Sequence, residues 1–377
     1  MLTHRFVPWE EVGPAERAQW QRLMETTHGA PDLSIDWAAS LIEAHCIPVA
    51  DVLVLILSDA TQARALVPLR LTTQKMGAFK LLTVAPLINA FSLHENLLSE
   101  VDLASCVSAL MAAVTSEYGQ WAELIFSAMV RDSALSQAIR ACAVAKGLPV
   151  ASTLGDHSPF LSIRGGWDDF LQGKSANFRS NLKRKARRLL DMDGVEIRFI
   201  TEPDQMGRAL SAVHTIENKS WKAAAGTAIT SRPWEEAFYA AIATKFSPSG
   251  QVLITLVTLN GEPLAFDLTL LGGGCAYCLK TSFDAERAEL SAGVVLRTEL
   301  MRRVFALGIE EYDFLGKNER YKLEWSETTR QAETVRIVNT RSWAGWSLRS
   351  VRRLRSVVDG VAARFGSRRS APPQTGD

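Results

Sequence analysis

An acidic and a basic residue are predicted to face each other in the clearest strand pattern of the chain. Asp267 lies in the middle of an apolar strand, and Lys280 lies in the next strand. If Gly273-Gly274 forms a two-residue turn between the strands, the two side chains lie directly opposite each other. The sequence leaves open whether they form a structural ion pair in a cleft or an acid/base pair that moves a proton.

A helix start suited to binding an anion follows these strands. Ser291, Ala292 and Gly293 begin an amphipathic pattern that ends at Gly308, with Ser291 in the capping position. The first N–H groups of a helix have no intrahelical acceptor and carry a partial positive charge, so they stabilise phosphates. Gly293 also allows a ligand to approach the backbone closely. The pattern predicts a phosphate-binding position without either of the common nucleotide-binding glycine motifs.

The elements that must position these residues follow a β-β-β-α-β order. Three strands at 252–259, 262–271 and 275–282 precede the helix over 291–308 and a strand over 310–315. Asn260-Gly261 supplies the two positive φ angles of a type I′ turn between the first two strands. The same order is predicted about 200 residues earlier in the chain. Its strands are expected at 52–57, 63–71, 80–84 and 122–126, and its helices at 102–116 and 133–146.

This repetition predicts an α/β fold with a mixed sheet and two similar domains. A further strand at 194–200 and helices over 204–222 and 233–246 complete the second domain. The expected organisation is an N-terminal domain, a basic linker helix, a C-terminal domain, a basic amphipathic helix and a disordered tail. Their expected bounds are 1–165, 166–193, 194–340, 341–366 and 367–377.

The net charge of +1 conceals two basic segments. Among 377 residues, 42 Lys and Arg balance 41 Asp and Glu, but 174–188 and 341–370 each carry +7. The near-neutral total argues against general nucleic-acid coating, while phosphates, an anionic membrane and RNA stay open as local partners. In the second segment, apolar residues at helical spacing oppose arginines, and Trp343 and Trp346 stand at its start. This helix could lie on anionic lipid or pack against its own domain.

Metal, redox and membrane-spanning functions are not predicted. Cys275 and Cys278 form a C-x-x-C, but residues three apart in a strand face opposite sides of the sheet. The five cysteines are scattered, and the six histidines lack a metal-binding spacing. No apolar run reaches 18 residues, and Met1–Val12 does not resemble a signal peptide. We expect a cytoplasmic location, with peripheral contact to the inner face of the membrane through 341–366.

Several segments together resemble a known enzyme family. Their order and spacing are similar to those of the GNAT acyltransferase core, and specifically of the tandem-domain, Fem-like cellulose-biosynthesis-associated acetyltransferases. The resemblance covers about residues 30–338. It rests on Leu66–Leu69 (LVPL), Glu217–Lys222 (ENKSWK), Lys280–Asp284 (KTSFD), Leu290–Gly293 (LSAG), Tyr312–Gly316 (YDFLG) and Tyr321–Trp325 (YKLEW).

The resemblance implies two tandem GNAT-like domains, acyl-CoA as the co-substrate and no metal. Many relatives carry Tyr where Phe283 stands, so no role for a hydroxyl is expected there. The candidate catalytic residues are Glu217, Asp267, Lys280, Asp313 and Lys322. The candidate acyl-CoA contacts are Arg184, Lys185, Ser291, Ala292, Gly293 and Tyr321.

The first functional hypothesis is transfer of an acyl group from a CoA thioester to a primary amine. The acceptor is expected at the membrane, as a long-chain sphingoid-type base that gives a ceramide-like amide, or as an amino sugar of an exported polysaccharide. A Fem-like transferase that uses aminoacyl-tRNA is the second hypothesis. A non-catalytic module that binds lipid or nucleic acid is the third. The sequence predicts no oligomeric state.

Overall fold

One mixed sheet of 13 strands connects both halves of the chain. The computed structural model describes residues 2–44, 47–76, 79–87 and 97–352, and the sheet is counted over these residues. The strands of the N-terminal half are β1 (Thr3–Pro8), β2 (Val52–Ser58), β3 (Ala63–Met76), β4 (Phe79–Pro86), β5 (Leu98–Ser99), β6 (Trp121–Val130) and β7 (Val150–Ser162). Its helices are α1 (Pro14–Thr27), α2 (Ile35–Glu43), α3 (Leu103–Glu117) and α4 (Ala134–Ala145).

Two helices lead from this half into the second. They are α5 (Trp167–Gly173) and α6 (Ala176–Leu190), and α6 is the predicted basic linker helix. The strands of the C-terminal half are β8 (Val195–Ile200), β9 (Val252–Leu259), β10 (Glu262–Gly272), β11 (Cys275–Phe283), β12 (Glu311–Asp313) and β13 (Thr329–Val338). Its helices are α7 (Met206–Lys219), α8 (Trp221–Ala224), α9 (Pro233–Phe246), α10 (Ala292–Ala306) and α11 (Arg320–Leu323).

The two halves have equivalent strand orders that meet at the centre of the sheet. The order is β1-β2-β3-β4-β6-β13-β7-β12-β11-β10-β9-β8, with β5 beside β3. In each half four antiparallel strands lead to one parallel pair, β4 with β6 and β11 with β12. The predicted mixed α/β fold with two similar halves is confirmed. The expected domain bounds at 165 and 194 stay a prediction.

The last strand of each half pairs with the other half. β7 follows α4 in the chain but lies beside β12, while β13 lies beside β6. β7 and β13 also pair with each other along most of their length. The sequence pattern predicted neither strand. β7 is largely exposed and lacks an alternation of apolar and polar residues, so it gives no strand signal.

Helices cover the two faces of the C-terminal half differently. Phe266 and Leu268 of β10 pack with residues of α7 and α9 on one face. Ala265 of β10 and Val257 of β9 pack with α10 on the other face. α6 lies against α10 on this second face. Because β-strand side chains alternate between faces, adjacent residues of β10 and β11 reach two separate environments.

The C-terminal helix begins on the body of the N-terminal half. Residues 343–352 are helical, and the rest of the predicted 341–366 helix and 367–377 tail lie outside the described residues. Ala344 is buried with Leu81 and Ala122, while Trp343 and Trp346 are exposed. Among the described residues, no helix has the length and apolar character needed to cross a membrane.

Candidate active site

A cavity opens where β11 and β12 separate. The two strands pair only between Cys275–Tyr277 and Glu311–Asp313, and β11 then continues without β12 beside it. The cavity has a volume of about 710 Å³. Its lining includes residues from α6, α8, α9, β11, α10 and the segment that follows β12. The cavity therefore reaches both faces of the sheet through the gap between the two strands.

The start of α10 forms one side of the cavity. Ser291 and Gly293 line it, whereas Ala292 is buried in the core behind it. Ser291 adopts a left-handed conformation, with φ of 56°, and its side chain does not cap the helix. The predicted capping role of the Ser291 side chain is therefore wrong. The N–H of Val294 donates to the carbonyl of Ser291 at 3.0 Å, so the N–H groups of Ala292 and Gly293 are the ones left for a ligand, and the anion site stays a prediction.

A β-bulge at Leu279 determines which face each residue of β11 occupies. The turn at Gly273-Gly274 has the expected two residues, both with positive φ. Beyond it, Thr269 pairs with Cys278 but Leu268 pairs with Lys280, so Leu279 is an extra residue. A bulge of this kind shifts the register by one residue. Asp267 therefore faces Thr281, and the predicted pairing of Asp267 with Lys280 is wrong.

Asp267 belongs to a buried ion pair on the α10 face. Its carboxylate lies 2.9 Å from Arg297, which also contacts the hydroxyl of Tyr312. The hydroxyl of Thr269 donates to the same carboxylate at 2.6 Å, and the thiol of Cys278 donates at 3.3 Å. Burial raises the pKa of the Cys278 thiol, which keeps it protonated as a donor. Asp267 is inaccessible and does not line the cavity, whereas Arg297 does.

A chain of alternating charges occupies the opposite face. The Nζ atom of Lys222 lies 3.1 Å from Oε1 of Glu217 and donates to the carbonyl of Thr281 at 2.7 Å. Lys280 lies 3.7 Å from Oε2 of Glu217 and 2.8 Å from Oε1 of Glu235. Burial lowers the pKa of Lys222, and the neighbouring Glu217 partly opposes this shift. Lys222, Lys280 and Glu235 line the cavity, and Glu217 lies buried behind them.

Lys322 holds the segment that follows β12. Its Nζ atom donates to the carbonyls of Leu315 at 2.7 Å and Lys317 at 3.1 Å, and it lies 3.0 Å from Glu319. Leu315 has a positive φ of 50°, so this segment turns sharply away from the strand. The ammonium of Lys322 therefore fixes one wall of the cavity.

Asp313 and Tyr321 occupy different positions around that wall. The carboxylate of Asp313 is fully buried, accepts from the backbone N–H of Leu315 at 2.8 Å and lies 3.9 Å from Arg330. It does not line the cavity, so it supports the turn after β12. Tyr321 lines the cavity with a partly exposed ring. Burial raises the pKa of its hydroxyl.

The basic helix α6 closes the cavity on the α10 face. Phe178, Leu182 and Lys185 line it, and Phe178 packs edge-on against Trp325 with 5.3 Å between ring centroids. Arg184 is exposed and hydrogen-bonds to Asn181 at 3.0 Å within its own helix. The structure thus brings Lys185 to the cavity together with the start of α10, and it does not bring Arg184 there.

Sequence reasoning missed Glu235, Arg232 and Trp221. All three line the cavity, and Glu235 is 2% exposed. Glu235 stands in the first turn of α9 after Pro233, where acidic residues are common because they complement the helix dipole. That position carries no signal of function. Only the three-dimensional proximity of Lys280 distinguishes Glu235 from its half-buried neighbour Glu236.

The equivalent helix start in the N-terminal half is filled by a side chain. The carboxylate of Asp102 caps α3 and accepts from the N–H of Ser105 at 2.8 Å. Hydrogen bonds from the hydroxyl and the backbone N–H of Ser105 lower the pKa of Asp102, so the cap is negatively charged at neutral pH. An anionic ligand is therefore repelled at α3, whereas the start of α10 carries no such cap.

Comparisons with known proteins agree with this architecture. Residues 176–323 match the acetyltransferase (GNAT) domain family. Among solved structures, a FemX protein superposes with a TM-score of 0.59 at 11% identity, covering 86% of this chain and 96% of that chain. The C-terminal domain of a putative lysylphosphatidylglycerol synthetase from Agrobacterium fabrum gives 0.52 at 12% identity, covering 90% and 96%. No curated protein matches the chain in sequence.

A third solved structure has a similar fold. A conserved protein of unknown function from Bacteroides thetaiotaomicron superposes with a TM-score of 0.53 at 14% identity, covering 86% of this chain and 97% of that chain. The chain therefore has a two-domain fold similar to these solved structures, and its residues 176–323 match a GNAT domain. The match over residues 176–323 supports acyl transfer as the general activity. The narrower cellulose-associated branch stays a prediction.

Proposed function

We propose that this protein is an acyl-CoA-dependent N-acyltransferase. The observation that carries the proposal is the cavity that passes between β11 and β12, with the start of α10 on one face and the Lys222–Glu235 charge chain on the other. A thioester held on the α10 face and an amine held on the opposite face meet in the gap between the strands.

The α10 face suits the phosphates of CoA. The uncapped first turn offers N–H groups and the positive end of the helix dipole to an anion. Gly293 keeps this surface open, because a Cβ there would already lie 3.4 Å from the ring of Phe283. Lys185 adds a cation to the same wall of the cavity. The capped start of α3 favours a single donor site, in the C-terminal half.

The free edge of β11 suits the thioester carbonyl. No strand within the described residues pairs with this edge beyond Tyr277. Backbone N–H groups on the edge can therefore donate to the oxyanion that develops as the amine attacks. Each such donor contributes about 3 kcal/mol to transition-state stabilisation. The strand thus supplies this part of the chemistry without a dedicated side chain.

The opposite face suits a cationic amine. An amine with a pKa near ~10 must lose a proton at pH 7, at a cost of about 4 kcal/mol, before it can attack. Glu217 and Glu235 place two carboxylates on this face, and only Glu235 lines the cavity.

The mouth of the cavity favours an acceptor with an apolar portion. Trp221, Phe283 and Tyr321 all line the cavity and expose their rings to solvent. The acceptor that we favour is therefore a long-chain sphingoid-type base, which would give a ceramide-like amide. An amino sugar of an exported polysaccharide is the other acceptor. The exposed Trp343 and Trp346 support contact with an anionic membrane surface through the C-terminal helix.

Aminoacyl-tRNA-dependent transfer is the second candidate function. The observation that favours it is the row of exposed cations on α6, which includes Lys183, Arg184 and Arg188. Such a row suits a polyanion as well as the phosphates of CoA. Binding of tRNA that weakens steeply with added salt, together with no release of CoA, would support this candidate.

A coupled assay tests the first proposal. The purified protein is incubated with acetyl-CoA or palmitoyl-CoA, each paired with sphinganine or glucosamine. Free CoA is followed with a thiol reagent, and the amide product is identified by mass spectrometry. We expect amine-dependent release of CoA with a matching amide, and faster turnover with sphinganine. If no pair releases CoA above the rate without enzyme, the proposal is wrong.

A further inference from the structure

One carboxylate oxygen at the cavity is buried without a hydrogen-bond donor. Oε1 of Glu235 accepts from Lys280 at 2.8 Å, but Oε2 has no hydrogen-bond partner among the described residues. Arg232 lies 3.7 Å from Oε2, beyond hydrogen-bond distance. A buried carboxylate oxygen without a donor is costly, so such atoms are rare unless a ligand satisfies them. Because Glu235 lines the cavity, the missing donor can come from a ligand there.

A second unsatisfied polar atom lies in the same cavity. The hydroxyl of Ser282 is buried and has no hydrogen-bond partner among the described residues. Ser282 follows Lys280 by two positions in β11, beyond the bulge, and therefore faces the same side of the sheet. Both residues line the cavity. A primary ammonium carries three donors, which match acceptors of this kind.

We propose that Glu235 binds the ammonium group of the acceptor through Oε2 and then takes one of its protons. This inference rests on the proposed N-acyltransferase function. The neutral nitrogen attacks the thioester carbon, so a C–N bond forms and the C–S bond breaks. The second nitrogen proton passes to the leaving thiolate and gives free CoA. Glu235 then returns its proton to solvent.

The surrounding charges assign this role to Glu235 and not to Glu217. Both oxygens of Glu217 are already engaged, Oε1 with Lys222 at 3.1 Å and Oε2 with the N–H of Ile229 at 3.1 Å. Glu217 therefore positions the two lysines.

The titratable and charged groups that face Glu235 come from four elements. Lys280 contacts it from β11, and Arg232 lies just before α9. Glu217 of α7 and Lys222 of α8 lie beyond Lys280. The phenol of Tyr239, one turn along α9, keeps its proton because burial raises its pKa.

A binding measurement tests the ammonium site without turnover. Dodecylamine is titrated calorimetrically at pH 7 into wild type, Glu235→Gln and Glu236→Gln, with dodecanol as the uncharged comparison. Glu236 is the matched control, because it follows Glu235 in α9 but does not line the cavity, and its half-buried side chain lies 3.5 Å from His214. We expect Glu235→Gln to lower the affinity for dodecylamine at least 10-fold and to leave the affinity for dodecanol unchanged. Glu236→Gln should bind both ligands with wild-type affinity. Equal affinity of wild type and Glu235→Gln for dodecylamine would overturn the assignment.

A kinetic measurement tests the proton transfer. With a donor and amine pair that wild type turns over, Glu235→Gln should lower kcat/KM by about 10²–10⁴-fold at pH 7. The deficit should shrink as the pH approaches the pKa of the amine, because the free amine no longer needs a base. A purely structural role would give a deficit that does not depend on pH, and that result would overturn the base role.

A double variant and the activity of wild type separate a folding defect, a failed role of Glu235 and a failed proposed function. If Glu235→Gln fails to fold because Lys280 loses its nearer carboxylate, the double variant Glu235→Gln/Lys280→Met removes both charges and should show the same loss of dodecylamine affinity. If wild type releases CoA and Glu235→Gln has the same activity and dodecylamine affinity, the role of Glu235 is refuted and the proposed function stands. Absence of CoA release by wild type would refute the proposed function, and the dodecylamine comparison would still decide on the ammonium site.

Discussion

The Nζ atom of Lys280 lies 2.8 Å from a carboxylate oxygen of Glu235, across the cavity face formed by β11 and α9. The bulge at Leu279 creates this relationship, because it turns Lys280 away from Asp267. One extra residue in a strand thereby separates two ion pairs. The pair of Asp267 with Arg297 is buried in the α10 face, and the pair of Lys280 with Glu235 borders the cavity.

Asp267→Asn should destabilise the protein strongly. The change leaves Arg297 as a buried cation without its carboxylate partner, which costs about 3–5 kcal/mol in the free energy of unfolding. Urea denaturation measures the loss. Asp191→Asn is the control, since it removes an exposed pair with Arg187 and should change stability by about 0.5 kcal/mol or less. Equal effects of the two changes would contradict a structural role for the buried pair.

Gly293→Val should weaken binding of the acyl donor. The added side chain would occupy the space between the start of α10 and Phe283, where the phosphates are proposed to lie. We expect KM for acyl-CoA to rise at least 10-fold, with a smaller change in KM for the amine. Gly207→Ala is the control, because a Cβ there meets nothing within 4 Å. An unchanged KM for acyl-CoA in Gly293→Val would exclude this helix start from donor binding.

Lys185→Glu should raise KM for acyl-CoA more than Arg188→Glu does. Both residues belong to the basic helix α6, but Lys185 lines the cavity and Arg188 is exposed outside it. We expect about a 10-fold rise for Lys185→Glu and a rise of less than about 3-fold for Arg188→Glu, because exposed charges are screened by salt. Steady-state kinetics at two salt concentrations checks this order. Equal effects would indicate a general influence of charge and no local contact.

Lys222→Met should change how stability depends on pH. The folded-state pKa of Lys222 is lowered, so the native state binds fewer protons than the unfolded state at pH values just below about 10. The free energy of unfolding therefore rises with pH in that window, and Lys222→Met removes this contribution. Urea denaturation at pH 8 and pH 10 should show a smaller rise for the variant than for wild type. The exposed Lys183→Met is the control and should keep the wild-type rise.

Replacing Trp343 and Trp346 with Ser should reduce binding to anionic vesicles. Both rings are exposed at the start of the C-terminal helix, next to the arginines that follow. Cosedimentation with vesicles that contain phosphatidylglycerol measures the effect, and we expect at least a 5-fold loss of binding with unchanged turnover of acetyl-CoA. The exposed Val144, replaced with Ser, is the control. If the double variant binds as wild type does, the helix has no role at the membrane.

Local sequence patterns predicted much of the C-terminal half. β9 and α9 begin and end where the apolar periodicity and the turn residues indicated, and Asn260 and Gly261 both have positive φ as the type I′ turn requires. These features depend on a few adjacent residues. The bulge at Leu279 could not be read in the same way, because Leu279 is an ordinary strand residue and only pairing with β10 shows that it is extra.

Several predicted site residues lie around one cavity, and their roles in binding or catalysis stay a prediction. Lys280, Lys322, Ser291, Gly293, Tyr321 and Lys185 do line one cavity. Asp267 and Asp313 instead stabilise the strands around it, since burial and hydrogen bonding occupy their carboxylates. Glu235 was missed because its importance comes from a neighbour 45 residues away in the chain. Side-chain roles set by such distant contacts leave no mark on local composition.

The exchange of β7 and β13 between the halves also governs how the chain reaches its native state. The second edge of β6 is covered only when it pairs with β13, which lies about 200 residues further along the chain. A nascent chain that ends before β13 therefore presents an open strand edge, which is a template for aggregation. Pairings of such high contact order form slowly. The N-terminal half therefore cannot complete its part of the sheet until β13 has been synthesised.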